Sequence, residues 1–290
     1  MMENVIELKN VNKKFASFEL KDFSMSVKKG FVTGFIGGNG VGKSTTIKLI
    51  MNLLQADSGE IKIFGLDYRK HEKEIKQRIG FVYDDGVFYE HLTLREMKKI
   101  VKLSYQNWDD ELFQSYIQSF QLPLNKKLST FSKGMMMKAS LAIALSHHAE
   151  LIIMDEPTSG LDPIFRRELL DILHDLMQDG EKTIFFSTHI TTDLDRIADY
   201  ITFIHNGKHI FTNEFYSIQE RYTIVKGGLD LLDADIEKEF ISLRKSPYGF
   251  EGLAANKEQV ELLFGDSVLF EKATLEDIMY FTKRGAERVG

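Results

Sequence analysis

The sequence feature that most constrains this chain is a glycine-rich loop at residues 37–44, which reads Gly-Gly-Asn-Gly-Val-Gly-Lys-Ser. It matches the pattern G-x-x-x-x-G-K-[ST] at every fixed position. The apolar residues 31–36 before it predict a buried strand, and the spacing of apolar residues over 43–54 predicts a helix. Because glycines let a backbone curl until successive N–H groups point inward, this strand–loop–helix unit is predicted to hold an anion.

The chemistry around the loop indicates which anion it holds. A helix N-terminus carries a partial positive charge that favours phosphate. Lys43 can reach the β- and γ-phosphates of a nucleoside triphosphate, and the hydroxyl of Ser44 can bind Mg²⁺. The alternative, a chance glycine-rich turn, is disfavoured by the flanking strand and helix. The motif therefore predicts a P-loop nucleoside triphosphatase, without indicating which kind.

Strands and helices alternate along most of the sequence, which predicts an α/β fold with a mostly parallel sheet covered on both faces. A mainly helical block, at about residues 88–147, interrupts this alternation and is interpreted as an insertion. We predict one domain over residues 1–215 and a small C-terminal α/β accessory region over residues 216–290. The predicted strands are 5–11, 20–27, 31–36, 61–64, 79–83, 151–154, 183–186, 200–205 and 208–212. The predicted helices are 43–54, 93–104, 109–120, 133–147, 163–179 and 191–197.

Composition narrows the classes of partner. The net charge of −6 lacks the basic excess of a nucleic-acid-binding protein, so no nucleic-acid partner is expected. The chain has no cysteine, which excludes disulfides and thiolate metal sites. The N-terminal residues do not have the pattern of a signal peptide, and no uncharged apolar run reaches the roughly 18 residues of a membrane span. A role at a membrane would therefore require a separate subunit.

Two acids follow the apolar residues 151–154. In a P-loop fold the end of such a strand lies beside the phosphate loop, which puts Asp155 in position to hold Mg²⁺ directly or through water. Glu156 is then in position to orient and polarise the attacking water. The alternative is a pair of solvated acids at a strand end, and the phosphate loop argues against it.

Residues 128–135 read Leu-Ser-Thr-Phe-Ser-Lys-Gly-Met and lie some twenty residues before Asp155. Together with the phosphate loop, they resemble the signature of the ABC transporter ATP-binding proteins. In that family a Ser-x-Gly turn opens a helix that caps the γ-phosphate of ATP bound to the other protomer. The resemblance assigns this role to Ser132, Lys133, Gly134 and Met135. Lys133 and Met135 replace the usual glycine and glutamine, and this variant resembles a subgroup associated with export of drugs or peptides.

Further matches follow in the order of the family. Asp162, in the loop after Glu156, resembles the key acid of a segment that crosses the dimer interface, and His189 resembles the histidine that contacts the γ-phosphate. Phe15 is at the position of an aromatic that stacks on adenine, with core packing as the alternative. Asp84 replaces a glutamine that touches Mg²⁺ and water, which predicts a slow ATPase. The resemblance implies that the ATP-binding residues are Phe15, Gly37, Gly38, Asn39, Gly40, Val41, Gly42, Lys43, Ser44 and Thr45. It implies Ser44, Asp155 and Asp84 as metal ligands, and Glu156, His189 and Lys43 as catalytic residues.

The resemblance also implies an architecture and a partner. The fold would include an antiparallel N-terminal β subdomain. Two chains, in a homodimer or a heterodimer with a related subunit, would sandwich two ATP molecules with Mg²⁺. Such a dimer would lie on the cytoplasmic, inner face of the cell membrane, held there by a separate permease. We predict that Phe88, Tyr89, His91 and Met97 help to line the groove that contacts the permease.

Three alternatives remain open. The first is a soluble ABC ATPase that acts on ribosomes or DNA; such proteins often carry two cassettes or a coiled-coil insertion, and this chain has neither. The second is an ATP-binding switch without turnover, which Glu156 argues against. The third is another P-loop class, such as a GTPase or kinase, which the signature and His189 argue against. The transported substrate cannot be inferred from this chain.

Overall fold

The computed structural model describes residues 3–83 and 88–289, with side chains through residue 285. Asp84, predicted as a metal ligand, lies outside the described residues. The chain divides into two units, Met1–Thr212 and Asn213–Gly290. No helix in the described residues is long and apolar enough to cross a bilayer.

The N-terminal unit contains two sheets and seven α-helices within its described residues. Its strands are β1 (Asn4–Lys14), β2 (Glu19–Lys28), β3 (Val32–Ile36), β4 (Ser58–Ile63), β5 (Leu66–Asp67), β6 (Ile79–Val82), β7 (Leu151–Asp155), β8 (Thr183–Thr188), β9 (Tyr200–His205) and β10 (Lys208–Glu214), the last of which runs into the second unit. Its α-helices are α1 (Lys43–Ile50), α2 (Tyr68–Gln77), α3 (Leu94–Lys102), α4 (Asp110–Ser119), α5 (Lys133–Leu145), α6 (Pro163–Leu176) and α7 (Leu194–Ile197).

The two sheets differ in strand direction. The first has the order β2-β1-β4-β5, and its neighbouring strands are antiparallel. The second has the order β10-β9-β3-β8-β7-β6, and the pairs from β9 through β6 are parallel. Helices α3, α4 and α5 lie within the predicted insertion. The α/β fold, its antiparallel N-terminal sheet and its mostly parallel second sheet are therefore confirmed.

The parallel sheet brings distant segments together at one edge. Strand β3 and strand β8 are buried along their whole length, as their continuous apolar sequences predict. Because β3, β7 and β8 are neighbours and run in the same direction, their carboxyl ends meet at the same edge. Gly37, Glu156 and His189 each follow one of these strands, so the sheet topology gathers them.

A tight turn connects the two sheets and the phosphate loop. Asn206 and Gly207 join β9 to β10, and both have positive φ angles, 46° and 71°, as a two-residue hairpin turn requires. The Gly207 N–H donates to the carbonyl of Val41 at 3.0 Å, and the Gly207 carbonyl accepts from the Lys21 N–H at 3.4 Å. A Cβ at Gly207 would lie 1.9 Å from the carbonyl oxygen of Glu19. Only glycine fits between these segments.

The C-terminal unit has its own sheet and core. Its α-helices are α8 (Phe215–Arg221), α9 (Lys257–Phe264) and α10 (Leu275–Val289), and its strands are β11 (Thr223–Gly227), β12 (Phe240–Ser246), β13 (Gly249–Ala254) and β14 (Leu269–Lys272). The strands form an antiparallel sheet in the order β12-β13-β11-β14. Val225, Phe240 and Phe250 of the sheet pack with Val260 and Phe264 of α9. The prediction that the C-terminal region forms a small α/β fold is therefore confirmed.

Candidate active site

The phosphate loop follows β3 and ends at α1. Gly42 caps α1 with a φ of 115°, a conformation that side chains disfavour. A Cβ at Gly37 would lie 2.6 Å from the carbonyl oxygen of Ile204 on β9. These two glycines let the backbone turn sharply between a buried strand and a helix N-terminus, where exposed N–H groups favour an anion.

Lys43 is buried, with 6% of its surface exposed, and folds back over the loop. Its Nζ donates to the carbonyls of Gly37 at 2.8 Å and Gly38 at 3.1 Å. The same nitrogen lies 3.1 Å from Oε1 of Glu156. A buried ammonium requires such partners, because an unpaired charge in this environment is costly. The lysine is thus held where phosphate oxygens would also compete for it.

Glu156 is shared between Lys43 and His189. Its Oε2 lies 2.7 Å from His189 Nδ1 and accepts a hydrogen bond from the His189 N–H at 3.2 Å. The backbone of Glu156 has a φ of 49°, in the left-handed region that a residue with a Cβ seldom adopts. The three predicted catalytic residues therefore form one connected cluster at the end of the parallel sheet.

Asp155 ends β7 directly opposite Ser187 of β8. The Ser187 hydroxyl donates to Asp155 Oδ1 at 2.6 Å and accepts from the Glu156 N–H at 2.9 Å. A carboxylate here and the Ser44 hydroxyl are the oxygen donors that Mg²⁺ prefers. No cluster of three or more His, Cys, Asp or Glu side chains suited to a metal occurs in the described residues. The Asp155 carboxylate and the Ser44 hydroxyl therefore fit a Mg²⁺ site, and the third predicted ligand, Asp84, lies outside the described residues.

An open cavity of about 610 Å³ lies over the loop. It is lined by Phe15, Ser17, Phe18, Asn39, Gly40, Gly42, Lys43, Ser44, Thr45, Glu156, Ser159 and His189. Phe15 is 41% exposed, and its ring centre lies 6.4 Å from that of Phe18. A ring this exposed is available for stacking, which favours the predicted adenine contact over core packing.

The signature residues lie on other elements. Ser132 caps α5, its hydroxyl accepting from the Met135 N–H at 3.2 Å. The side chain of Lys133 extends toward Gly160, where its Nζ would lie 3.1 Å from a Cβ. Asp162 caps α6, with Oδ1 accepting from the N–H groups of Ile164 and Phe165 at 3.1 and 3.0 Å. None of the signature residues, nor Asp162, lines the cavity over the phosphate loop.

Comparison with known proteins decides the family. The family model of the ABC transporter matches residues 20–159. The bacitracin transport ATP-binding protein BcrA of Bacillus licheniformis is 36% identical over 225 residues, which cover 76% of this chain and 73% of that protein. The chain belongs to the ABC transporter ATP-binding proteins.

Other ABC transporter ATP-binding proteins agree with this assignment. The ABC transporter ATP-binding protein YtrB of Bacillus subtilis is 28% identical over 227 residues, covering 78% of this chain and 77% of YtrB. A solved structure of an ATP-binding subunit of an ABC transporter superposes with a TM-score of 0.67 at 28% identity, covering 74% of this chain and 92% of that one. As an ABC transporter ATP-binding protein, this chain binds and hydrolyses ATP to power transport.

Most residues that line this cavity were among those predicted from the sequence, but four residues in or beside it were not. Ser17, Phe18 and Ser159 line the cavity, and Ser187 links the two acids. Ser17 and Phe18 lie two and three residues after Phe15, and Ser159 lies three residues after Glu156, and this proximity could have suggested them. Ser187 lies inside an apolar strand, and only the pairing of β7 with β8 reveals its contacts.

Proposed function

We propose that this chain is the ATPase of an exporter and acts as a dimer bound to a membrane permease. The proposal is supported above all by the cluster of Lys43, Glu156 and His189 beside the phosphate loop. In the proposed complex with ATP, the triphosphate is held by the N–H groups of the loop, by Lys43 and by Ser44. Phe15 stacks on the adenine. Ser44 and Asp155 hold Mg²⁺, which neutralises charge on the phosphate oxygens.

Glu156 serves as the base for the attacking water. Its Oε1 is paired with Lys43 at 3.1 Å. Phosphate oxygens compete for the same ammonium, so ATP binding draws Lys43 away and leaves the carboxylate to accept a hydrogen bond from water. His189, 2.7 Å from Glu156, then contacts the γ-phosphate and keeps the carboxylate in place.

Dimerisation is supported by the separation of the signature from the nucleotide cavity. Ser132 and the N-terminus of α5 present N–H groups that suit an anion, yet they do not line the cavity that contains Lys43. A second chain, identical or related, would bring its own α5 N-terminus over the γ-phosphate. The side chain of Lys133, a signature residue, extends toward Gly160, which is two residues before Asp162. Asp162 would therefore also lie at the interface between the two chains.

Transport direction and location rest on sequence and on relatives. The Ser132-Lys133-Gly134-Met135 variant of the signature supports export, and a relative is named as a transport protein for bacitracin. The permease would hold the dimer at the cytoplasmic face of the membrane. Tyr89 and His91 are exposed and suit a contact with the permease. Met97 was predicted to line the same groove, and this is corrected: the residue is buried, with 5% of its surface exposed, so its side chain is not presented to a partner.

A membrane pull-down tests the proposal. The Glu156→Gln variant, tagged in its native host, is extracted in mild detergent with ATP, and the wild-type chain is treated identically. We expect a multi-span membrane protein to co-purify in a fixed ratio, more strongly with the variant. Recovery of ribosomes or another soluble partner, without a membrane protein, would move the function to a soluble ABC ATPase.

A further inference from the structure

Ser187 occupies a position between the two acids of the site. It lies near the end of β8, fully buried, and faces Asp155 of β7 in the parallel register. Its hydroxyl donates to Asp155 Oδ1 at 2.6 Å and accepts from the Glu156 N–H at 2.9 Å. One side-chain oxygen thus contacts the side chain of one acid and the backbone of the next.

The contact with Asp155 fixes the direction of a carboxylate. An aspartate side chain turns easily about its last torsion, which has broad minima. A short hydrogen bond to Oδ1 restricts that rotation and so determines where the second oxygen points. Outer partners that orient a metal-binding carboxylate usually change metal affinity or activity by about 10- to 100-fold when they are removed.

The contact with Glu156 stabilises a strained backbone. Its φ of 49° lies in the left-handed region, which is unfavourable for a residue with a Cβ. This conformation turns the chain after β7 and directs the Glu156 side chain to Lys43 and His189. Without the hydroxyl, the Glu156 N–H would lose its acceptor, and the strained conformation would lose a bond that compensates for it.

We propose that Ser187 is a positioning residue for ATP hydrolysis, orienting Asp155 toward Mg²⁺ and Glu156 toward the attacking water. The inference rests on the proposed roles of Asp155 and Glu156. It adds that the two acids are set by one hydroxyl on a neighbouring strand, so that metal binding and water activation fail together when the hydroxyl is removed. A merely structural serine would lower stability and leave the Mg²⁺ dependence unchanged.

The test compares Ser187→Ala and Ser187→Cys with wild type and with Thr33→Val. Thr33 is a matched control, because it is fully buried in β3 of the same sheet and its hydroxyl has no hydrogen-bond partner within the described residues. Ser187→Cys retains the side-chain shape with a much weaker donor, and it carries the test if Ser187→Ala does not fold. Thermal melting establishes that each variant is folded.

Two readouts are taken on the full-length chain. A fluorescent ATP analogue is titrated in EDTA and across Mg²⁺ concentrations, and steady-state hydrolysis gives kcat, KM and the Mg²⁺ midpoint. For Ser187→Ala we expect an affinity for the ATP analogue in EDTA within about twofold of wild type. The Mg²⁺ concentration at the midpoint should rise and kcat should fall, each by on the order of tenfold. The Mg²⁺ midpoint and kcat of Ser187→Cys should lie between those of Ser187→Ala and wild type. Thr33→Val should match wild type in both quantities.

The outcomes separate this inference from the proposed function. Wild-type Mg²⁺ midpoint and kcat in a folded Ser187 variant would overturn the positioning role, as would an equal loss of binding with and without Mg²⁺. Glu156→Gln is measured in parallel. If Glu156→Gln hydrolyses ATP at the wild-type rate, or if hydrolysis by wild type does not depend on Mg²⁺, the assignment of Asp155 and Glu156 fails instead.

Discussion

At the scale of single residues, Lys43 links the phosphate loop to Glu156. Its ammonium contacts two loop carbonyls and the Glu156 carboxylate. In the proposed mechanism, phosphate oxygens and the Glu156 carboxylate compete for this ammonium, which would couple nucleotide affinity to the availability of the base. A change at Glu156 therefore alters binding as well as turnover.

Glu156→Gln separates the two effects. We expect kcat to fall by at least about 100-fold, because an amide cannot act as a base. ATP affinity should stay equal or increase, because a neutral side chain no longer pairs with the Lys43 ammonium. Phosphate release and equilibrium binding of an ATP analogue measure these quantities. Weaker binding in the variant would contradict competition for Lys43. Glu150→Gln, the same substitution outside the cavity, should leave both quantities unchanged.

At the scale of elements, helices α3 and α5 of the insertion begin with side-chain caps, as α4 does at Asp109. Thr93 and Glu96 form a reciprocal capping box at α3, and Ser132 accepts from Met135 at the start of α5. Both caps satisfy N–H groups that a helix leaves without partners. Only the N-terminus of α5 carries the signature. Removing the cap of α3 and the cap of α5 in separate variants therefore distinguishes an effect on helix stability from an effect on ATP hydrolysis.

Ser132→Ala and Thr93→Ala should each lower the free energy of unfolding by about 1 kcal/mol. Urea unfolding followed by circular dichroism measures this. In ATPase assays, Ser132→Ala should reduce kcat by about tenfold or more, because it also loses a donor to charged phosphate, whereas Thr93→Ala should stay within about twofold. Equal kinetic losses in both variants would argue that Ser132 acts on helix stability alone.

An ion pair joins the residues that precede strands β6 and β7. Arg78, just before β6, makes a two-pronged ion pair with Glu150, just before β7, at 2.6 and 2.8 Å. The guanidinium also lies 3.7 Å above the ring of Phe64. Hydrogen bonding and charge from Arg78 hold the pKa of the Glu150 carboxyl below its usual range, which outweighs the opposing effect of burial.

A lowered pKa in the folded state predicts acid sensitivity. The unfolded chain binds a proton at Glu150 more readily, so the pair stabilises the fold above the usual glutamate pKa, and this stability is lost as pH falls through the lower folded value. We expect wild type to be more stable than Glu150→Gln at pH 7, with the difference shrinking below about pH 4. Urea unfolding of both proteins at a series of pH values measures it. A difference that is constant from pH 7 to pH 3 would contradict the assignment.

The same elements explain what sequence can and cannot predict. Strands β3 and β8 were predicted because buried parallel strands have continuous apolar sequences. Helix α2 was not, since Tyr68 and Ile75 are its only buried residues and no apolar period results. Motif spacing identified Lys43, Glu156 and His189 one by one. Their mutual contacts, and those of Ser187, follow from strand order, which local sequence does not specify.

At the scale of the whole molecule, the site belongs to one of two units. Every residue that lines the cavity precedes Thr212, and the C-terminal unit has a separate core around Phe240 and Phe250. The assignment of residues 1–215 to the ATPase and 216–290 to an accessory role remains a prediction.

A chain ending at Glu214, the last residue of β10, tests this division. Since it retains both sheets of the N-terminal unit, we expect it to bind the ATP analogue within about threefold of the full-length affinity, which corresponds to less than 1 kcal/mol. Binding isotherms on folded, monodisperse protein measure it. A lost affinity that returns when residues 213–290 are supplied as a separate chain would assign the second unit a direct part in nucleotide binding.

The turn at Asn206 and Gly207 has a mechanical consequence. The Gly207 amide holds the phosphate loop through Val41, and its carbonyl holds β2 through Lys21. A displacement of the loop therefore pulls on the first sheet through a single residue that has no room for a side chain. The turn is therefore a link made of backbone atoms alone, and it joins the phosphate loop to a sheet that contributes no residue to the Lys43, Glu156 and His189 cluster.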